Sequence, residues 1–252
     1  MDTETFSLRD QVAMVTGGGQ GIGLEIARAL GSAGAHPVIA EINEETGKKA
    51  AEEVGGQFLA LDVTDSRQVA DAVGKLKSEH GHLDVAVHNA GMCRNEPAEE
   101  MSDETWRNVL GLNLDAVFYC CREAGKAMLE QGAGSIVNIA SMSGIVSNHP
   151  QPQVSYNTSK AGVIMLTKAL AGEWAGRGVR VNSISPGYIG TDLLQGVRQR
   201  QPDLYEQWLD QTPMRRTGEP QELGPLAVFL ASSASSFVTG SNMVADGGFT
   251  VW

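Results

Sequence analysis

The sequence predicts an α/β fold, a doubly wound parallel sheet with helices on both faces, in one domain spanning residues 1–252. Three observations carry this. Apolar strand-like runs alternate with helical stretches along the whole chain. A glycine-rich turn separates the first run from the first helical stretch. No Pro/Gly/Ser linker divides the 252 residues. In order, VAMV (12–15) is a short buried strand and a helix covers 21–32. HPVIAE (36–41) is the second strand, followed by a polar helix over 44–54. QFLALDV (57–63) is the third, with a helix near 66–79. LDVAVHNAG (83–91) is the fourth strand running into a turn, and one long helix is expected over 103–130. GSIVNIAS (134–141) is the fifth, and another helix starts near Val154. GVRVNSISPG (178–187) and NMVADGG (242–248) complete the set. The polar, glutamine-rich stretch 188–218 is expected to be irregular and to act as a substrate lid.

Composition narrows the function classes. Hydrophobic content of 42% with 19% charged residues suits a soluble globular chain. A net charge of −11 argues against nucleic acid or an anionic membrane as partner. No apolar run approaches the roughly 18 residues of a membrane span. MDTETFSLRD has neither a basic n-region nor an apolar h-region. Cys93, Cys120 and Cys121 are odd in number and two are adjacent, so they read as reduced thiols, with Cys120 and Cys121 packing in a helix. The expectation is a cytoplasmic protein. His80 and His82 flank Gly81 without a further ligand cluster, so a surface turn is expected there and no metal.

TGGGQGIG (16–23) has a strand before it, a helix after it, and the acidic Glu41 at the end of the second strand. That context marks a dinucleotide-binding (Rossmann) turn. Gly17, Gly21 and Gly23 let the backbone approach a pyrophosphate and pack helix on strand, while the helix N-terminus offers N–H groups. Gln20 and Ile22 belong to the same turn. Glu41 can accept from both ribose hydroxyls. A 2′-phosphate beside it adds roughly 1.5–2 negative charges, and two like charges 4 Å apart cost about 4 kcal/mol at an effective dielectric of 20. No Arg or Lys stands nearby in sequence, since Ile42 and Asn43 follow, so NAD is expected over NADP. Asp62 and Val63 end the third strand, where a carboxylate can meet the adenine amino group. Asn89, Ala90 and Gly91 end the fourth.

Tyr156 and Lys160 are four apart in YNTSK, on one face of a helix backed by Val163, Leu166, Leu170 and Trp174. A nearby ammonium and a nicotinamide cation favour the phenolate, and up to about 4 kcal/mol could bring the tyrosine from near 10 to near 7. So tuned, it can take a proton from an alcohol as hydride leaves, and the reverse path reduces a ketone.

TGGGQGIG, HNAG, GLNLDAVF, NIASMSG, YNTSK and SPGYIGT occur in the order seen in short-chain dehydrogenases/reductases, and the chain resembles that family over essentially its whole length. The resemblance implies a single doubly wound domain, usually a homotetramer, and a tetrad of Asn113, Ser141, Tyr156 and Lys160. It implies that Asn113 holds a water on a proton relay to Lys160, that Lys160 also binds the nicotinamide ribose, and that Pro186, Gly187, Ile189 and Thr191 hold the nicotinamide end. His88 departs from the family pattern and reads as a strand-end packing residue. NIASMSG fits the family's serine motif with Asn138, Ser141 and Gly144. Counting thirteen residues back from Tyr156, the spacing of many relatives, lands on Ser143 instead. The strand end fixes the serine while the loop varies in length, so Ser141 is expected to stabilise the reacting oxygen and Ser143 to line the substrate pocket.

NHPQPQ (148–153) joins that serine to the tyrosine, so Asn148, His149, Gln151 and Gln153 are expected to pass the substrate, as is Tyr188. Such groups suit a polyhydroxylated small molecule. Within the family, SMSG…N-x-P-Q…YN-x-SK, EWAGRGVRVN and the terminal DGGFTVW look like sugar-alcohol dehydrogenases, such as those acting on galactitol, arabinitol, xylitol or sorbitol, and xylulose reductases. The resemblance also implies that a tail such as FTVW packs at a tetramer interface. A reductase of simple ketones or keto-sugar acids, and a nucleotide-binding scaffold without turnover, are the competing readings.

Overall fold

The computed structural model describes residues 3–252. Seven strands form one parallel sheet: β1 (Val12–Thr16), β2 (His36–Glu41), β3 (Gln57–Ala60), β4 (Val85–His88), β5 (Gly134–Ile139), β6 (Val179–Pro186) and β7 (Asn242–Ala245). Their order is β3-β2-β1-β4-β5-β6-β7. The chain winds outward from β1 in one direction and then from β4 in the other, so the crevice at the carboxyl ends of β1 and β4 is the switch point where ligands bind in such sheets. Register brings these ends level: Thr16 lies beside Ala40 and His88, His88 beside Asn138, and Ile139 beside Ile184.

The helices are α1 (Gly21–Ser32), α2 (Glu44–Val54), α3 (Ser66–His80), α4 (Asp103–Leu110), α5 (Ala116–Gln131), α6 (Val154–Trp174), α7 (Asp192–Arg200), α8 (Pro202–Gln211) and α9 (Gly224–Ala231). Successive strand residues point to opposite faces, and β1 shows the consequence. Met14 joins a core with Val69 and Leu76 of α3, Cys120, Cys121 and Met128 of α5, and Val163 and Leu170 of α6. Ala13 and Val15 join the opposite core with Ile26 and Leu30 of α1 and Ala227 and Leu230 of α9. Asn43 caps α2 by accepting from Glu45 N and Thr46 N, and Asp65 caps α3 by accepting from Arg67 N and Gln68 N. The N-cap of α1, Gln20, makes no side-chain cap bond. The one helix that opens on the glycine turn thus keeps first-turn N–H groups available to a ligand.

Three sequence expectations need correction. The long helix over 103–130 is interrupted by a π turn at Gly111–Asp115 that separates α4 from α5. The extra residue in a π turn rotates the face presented, and Asn113 there is fully buried. The stretch 188–218 is not irregular, because it holds α7 and α8. Helix-forming Leu, Gln and Arg build α7 and Leu, Gln and Glu build α8, with Pro202 in the first turn of α8. No residue of α7 is described as buried. Finally, the third and seventh strands end at Ala60 and Ala245, earlier than expected.

Gly23 shows how tightly α1 sits on the turn. A Cβ there would lie 2.2 Å from the Gly17 carbonyl oxygen and 2.5 Å from Asn89 Nδ2. Backbone on one side cannot yield, so Gly23→Ala should cost about 1–3 kcal/mol as an overpacked site and lower the melting temperature. A melt indistinguishable from wild type would show that the turn can spread.

Candidate active site

Two glycines shape the floor of the nucleotide end. Gly17 and Gly21 have φ of +62° and +56°, a region that side chains with a Cβ rarely adopt. Beyond them opens a cleft of about 680 Å³. Gly17, Gln20, Gly21, Ile22, Glu41, Ile42, Asp62, Val63, Asn89, Ala90, Gly91 and Thr191 all line it, together with Glu25, Ala40, Leu61, Thr64, Leu112, Gly190, Asp192 and Pro220. The latter group was missed. Gly190 stands inside SPGYIGT, Asp192 directly after it and Leu112 inside GLNLDAVF, whereas the others carry no motif and reach the cleft through folding alone.

The carboxylate of Glu41 is held in place by main-chain donors. Gly19 N donates to Oε2 at 3.2 Å, and Ile42 N and Asn43 N donate to Oε1 at 2.9 and 3.2 Å. Glu41 forms no ion pair among the described residues. Asp62 Oδ1 accepts from Thr64 N and Oγ1, at 2.9 and 2.7 Å. Thr16 Oγ1 accepts from Asn89 N, and Asn89 Nδ2 donates to the Gly17 carbonyl at 2.9 Å, so the end of β4 is tied to the glycine turn. An uncapped helix N-terminus, glycines in the left-handed region and a fixed carboxylate in one cleft fit a nicotinamide dinucleotide.

Pro186, Gly187 and Ile189 do not line the cleft but hold the segment that does. Pro186 pairs with Ala245 in the sheet, Gly187 N donates to the Ala245 carbonyl, and Ile189 bridges to Gly218. Gly190 N donates to the Gly218 carbonyl, which sets Gly190 and Thr191 at the cleft wall.

The side chains expected to be catalytic begin where the cleft's Gly91 end stops. A Cβ on Gly91 would lie 3.1 Å from Asn113 Oδ1 and 3.6 Å from Lys160 Nζ. Asn113 donates from Nδ2 to the Met92 carbonyl at 2.8 Å and to Ser159 Oγ at 3.2 Å, and its Oδ1 accepts from Met92 N at 2.8 Å. Both amide hydrogens are engaged, leaving one Oδ1 lone pair on the side chain. Lys160 is 4% exposed, and its Nζ donates to the Ile139 carbonyl at 2.8 Å. Burial pulls its pKa down to about 8. Nζ sits 5.7 Å from the centroid of the Tyr156 ring.

Burial pushes the Tyr156 phenol up to about 12, and Ser141 acts in the opposite direction. The protein's own groups thus leave the phenol high, and the expected lowering combines the Lys160 ammonium with the nicotinamide cation. Removal from water dominates, and lowering the phenol requires further positive charge. Ser141 leaves β5 in extended conformation and caps the short turn Met142–Gly144, its Oγ accepting from Ser143 N at 3.1 Å. A Cβ on Gly144 would meet the Lys160 carbonyl carbon at 2.6 Å, so this glycine lets the turn seat on α6. Ser143 turns elsewhere and accepts from Gln153 Nε2 at 3.1 Å.

The loop 148–153 is a closed hydrogen-bonded cluster rather than a row of free polar groups. Gln153 Nε2 also lies 2.9 Å from Asn148 Oδ1 and 2.8 Å from Asn157 Oδ1, three acceptors sharing its two hydrogens. Asn148 Nδ2 donates to the Tyr188 hydroxyl at 3.3 Å. Asn148, Gln151 and Gln153 are buried, whereas His149 is exposed, its main-chain carbonyl accepting from Gln211 at 3.3 Å. The structure thus gathers Ser143, Asn148, Gln153 and Tyr188 and leaves the His149 side chain outside. Sequence reasoning missed Cys93, whose Sγ approaches Gln153 Oε1 at 3.9 Å and which is pushed up to about 11 by burial. It also missed Trp208 of α8. No sequence signal linked either to this loop.

His88 is buried, as expected of a strand-end packing residue, but its surroundings are polar. Its Nδ1 meets Asn138 Oδ1 at 2.8 Å, and Asn138 Nδ2 donates to Thr167 Oγ1 at 3.0 Å. Burial pulls it down to about 4, so it is neutral. Cys120 and Cys121 are buried free thiols. His80 and His82 bond to Gln57 and Asp84. Among the described residues no three His, Cys, Asp or Glu side chains group as metal ligands.

A nucleotide cleft abutting a buried Ser-Tyr-Lys cluster defines a class, the nicotinamide-dependent oxidoreductases of this sheet topology. A family model described as enoyl-(acyl carrier protein) reductase matches residues 17–250. Galactitol 2-dehydrogenase (L-tagatose-forming) of Cereibacter sphaeroides is 46% identical over all of both chains. D-threitol dehydrogenase of Mycolicibacterium smegmatis is 39% identical over 98% of this chain and 95% of its own. The crystal structure of the NADPH-dependent 3-quinuclidinone reductase from Rhodotorula rubra superposes with a TM-score of 0.89 at 30% identity, covering 99% of this chain and 94% of that one. The chain belongs to the short-chain dehydrogenase/reductase family and is an oxidoreductase of that family.

The two neighbouring serines make a sharp comparison. Ser141→Ala should lower turnover by about 10²–10³-fold, the usual cost of one donor to a developing oxyanion, while Ser143→Ala should cost far less. Steady-state rates of the two variants decide it, and a larger loss at Ser143 reverses the assignment.

Proposed function

We propose that the protein interconverts a polyol, or sugar alcohol, and its ketose with NAD(H). The observation that carries this reading is Lys160 Nζ, held by the Ile139 carbonyl 5.7 Å from the Tyr156 ring centroid and abutting the Gly91 end of the nucleotide cleft. The full-length likeness to a galactitol and a D-threitol dehydrogenase supports the substrate class. So does Gln153 Oε1, whose nearest donor is a weak thiol at 3.9 Å, leaving acceptor capacity for a substrate hydroxyl.

The bound nicotinamide supplies the hydride acceptor or donor. Gly17 and Gly21 with the open start of α1 receive its pyrophosphate, and Glu41 its adenosine ribose. Ser141 donates to the substrate oxygen and holds its charge as the bond order to carbon changes. Tyr156 takes the hydroxyl proton during oxidation and returns it during reduction. Lys160, anchored by the Ile139 carbonyl, keeps positive charge beside the phenol. Asn113 holds the 91–92 main chain against that ammonium and offers one lone pair toward a relay water.

Glu41 favours NAD(H), since a 2′-phosphate would meet a carboxylate fixed by three main-chain donors and lacking an ion-pair partner among the described residues. Wild type should show the higher catalytic efficiency with NAD, and Glu41→Ala should narrow the ratio between cofactors by tenfold or more. NADP preferred by wild type ends this reading. We further propose a cytoplasmic homotetramer, supported by exposed apolar side chains such as Met165, Phe237, Val251 and Trp252. No helix among the described residues is long and apolar enough to cross a membrane.

The decisive experiment is a panel of sugar alcohols and plain secondary alcohols followed by NADH absorbance across a pH series. Polyols should be the best substrates. Oxidation needs the phenolate, so its rate should rise with pH. The rise should flatten above about 8, where Lys160 loses the proton whose charge favours the phenolate. Reduction needs the phenol, which burial keeps protonated up to about 12, so its rate should stay level over the same range. Turnover confined to simple ketones would favour the reductase reading instead.

A further inference from the structure

Trp208, Gln151 and Tyr188 form a chain of hydrogen bonds with only one possible direction. The Trp208 indole can donate but not accept. Its Nε1 lies 3.1 Å from Gln151 Oε1 in a buried contact, which fixes which end of the Gln151 amide faces it. Gln151 Nε2 therefore faces Tyr188 and donates to its hydroxyl oxygen at 2.9 Å. Asn148 Nδ2 donates to the same oxygen at 3.3 Å. Both lone pairs of the phenol oxygen are then occupied. The hydroxyl hydrogen has no acceptor among the described residues, and it is the only hydrogen-bonding capacity left on that group.

The ring is held as firmly as the hydroxyl. It stacks on Trp208 with centroids 4.3 Å apart and an 11° interplanar angle, and takes the edge of Phe249 at 5.6 Å. The group also borders the chemistry. Hydrogen bonds run from Tyr188 through Asn148, Gln153 and Ser143 to Ser141.

We infer that Tyr188 is a committed hydrogen-bond donor that reads an acceptor oxygen on the substrate away from the reacting carbon, with Gln151 as the positioning residue that enforces this polarity. The inference deepens the polyol reading and rests on it for the identity of the substrate. Its chemical content is that a hydroxyl or carbonyl oxygen beyond the reacting carbinol is recognised by its lone pair. An alcohol without that oxygen leaves the Tyr188 hydrogen unpaired, a penalty that discriminates strongly between otherwise similar ligands.

Gln151→Glu gives a sharp test. A carboxylate still accepts from Trp208, but it also captures the Tyr188 hydrogen, so the phenol is present yet turned inward. Gln151→Leu removes the amide donor without capturing that hydrogen, and Tyr188→Phe removes the hydroxyl while keeping the stacked ring. With galactitol and hexan-2-ol as probes, Tyr188→Phe and Gln151→Glu should each lower kcat/KM for galactitol at least tenfold more than for hexan-2-ol, chiefly through KM. A ligand-free readout stands beside this. In a ring-carbon NMR spectrum of the four tyrosines, with Tyr188→Phe giving the assignment, the Tyr188 Cζ signal should move toward the phenolate position in the order wild type, Gln151→Leu, Gln151→Glu. Equal losses for both alcohols, or Tyr188 signals that coincide in the three proteins, overturn the inference. If wild type oxidises hexan-2-ol but not galactitol, the polyol reading fails, while the NMR order still reports on the polarity of Tyr188.

Discussion

The Lys160 ammonium bonded to the Ile139 carbonyl is the contact on which the site's geometry depends. A buried cation is costly unless a polar partner meets it, and here the partner is the last carbonyl of β5. This bond sets α6 against the strand end that carries Ser141. Gly144 allows the approach, since any side chain there would strike the main chain at Lys160. Tyr156, one turn earlier on α6, then faces Ser141. A shift of α6 along β5 would separate the hydroxyl from the phenol and the ammonium from both.

Around this contact lie buried polar connections of two kinds. Behind it, His88, Asn138 and Thr167 join β4, β5 and α6 through bonds of 2.8 and 3.0 Å. In front, Asn148, Gln151, Gln153, Tyr188 and Trp208 join the serine–tyrosine loop to the segment after β6 and to α8. Networks of this kind hold a single arrangement because breaking one member strands the next. The contrast between α7 and α8 follows. Trp208 and Tyr205 bury α8, whereas α7 has no residue described as buried. Trp208 thereby anchors α8 beside the 148–153 loop.

The electrostatic arrangement separates the two proton-active groups by environment. Burial raises Tyr156 and lowers Lys160, so each is pushed toward its neutral form. Both shifts cost less when opposite charges form together, the phenolate beside the ammonium. A site that disfavours lone charges but tolerates the pair suits a step in which a proton leaves the substrate as hydride departs.

Much of this was legible in the chain order. The alternation of strands and helices implied the parallel sheet, because each apolar run needs cover on both faces. The glycines of TGGGQGIG, the acid at Glu41 and the four-residue step from Tyr156 to Lys160 are local constraints. Backbone freedom, a strand-end carboxylate and a shared helix face can be read from spacing alone. Folded packing added what spacing does not encode. It turned Ser143 toward Gln153, drew Asn148, Gln151 and Gln153 into a closed network, left His149 outside, and brought Cys93 and Trp208 to the same loop from distant parts of the chain. Hydrogen-bond direction was the last to emerge. That Tyr188 can only donate follows from an indole on α8 that can only donate to Gln151, a relation between residues 57 positions apart in sequence that exists only where their side chains meet.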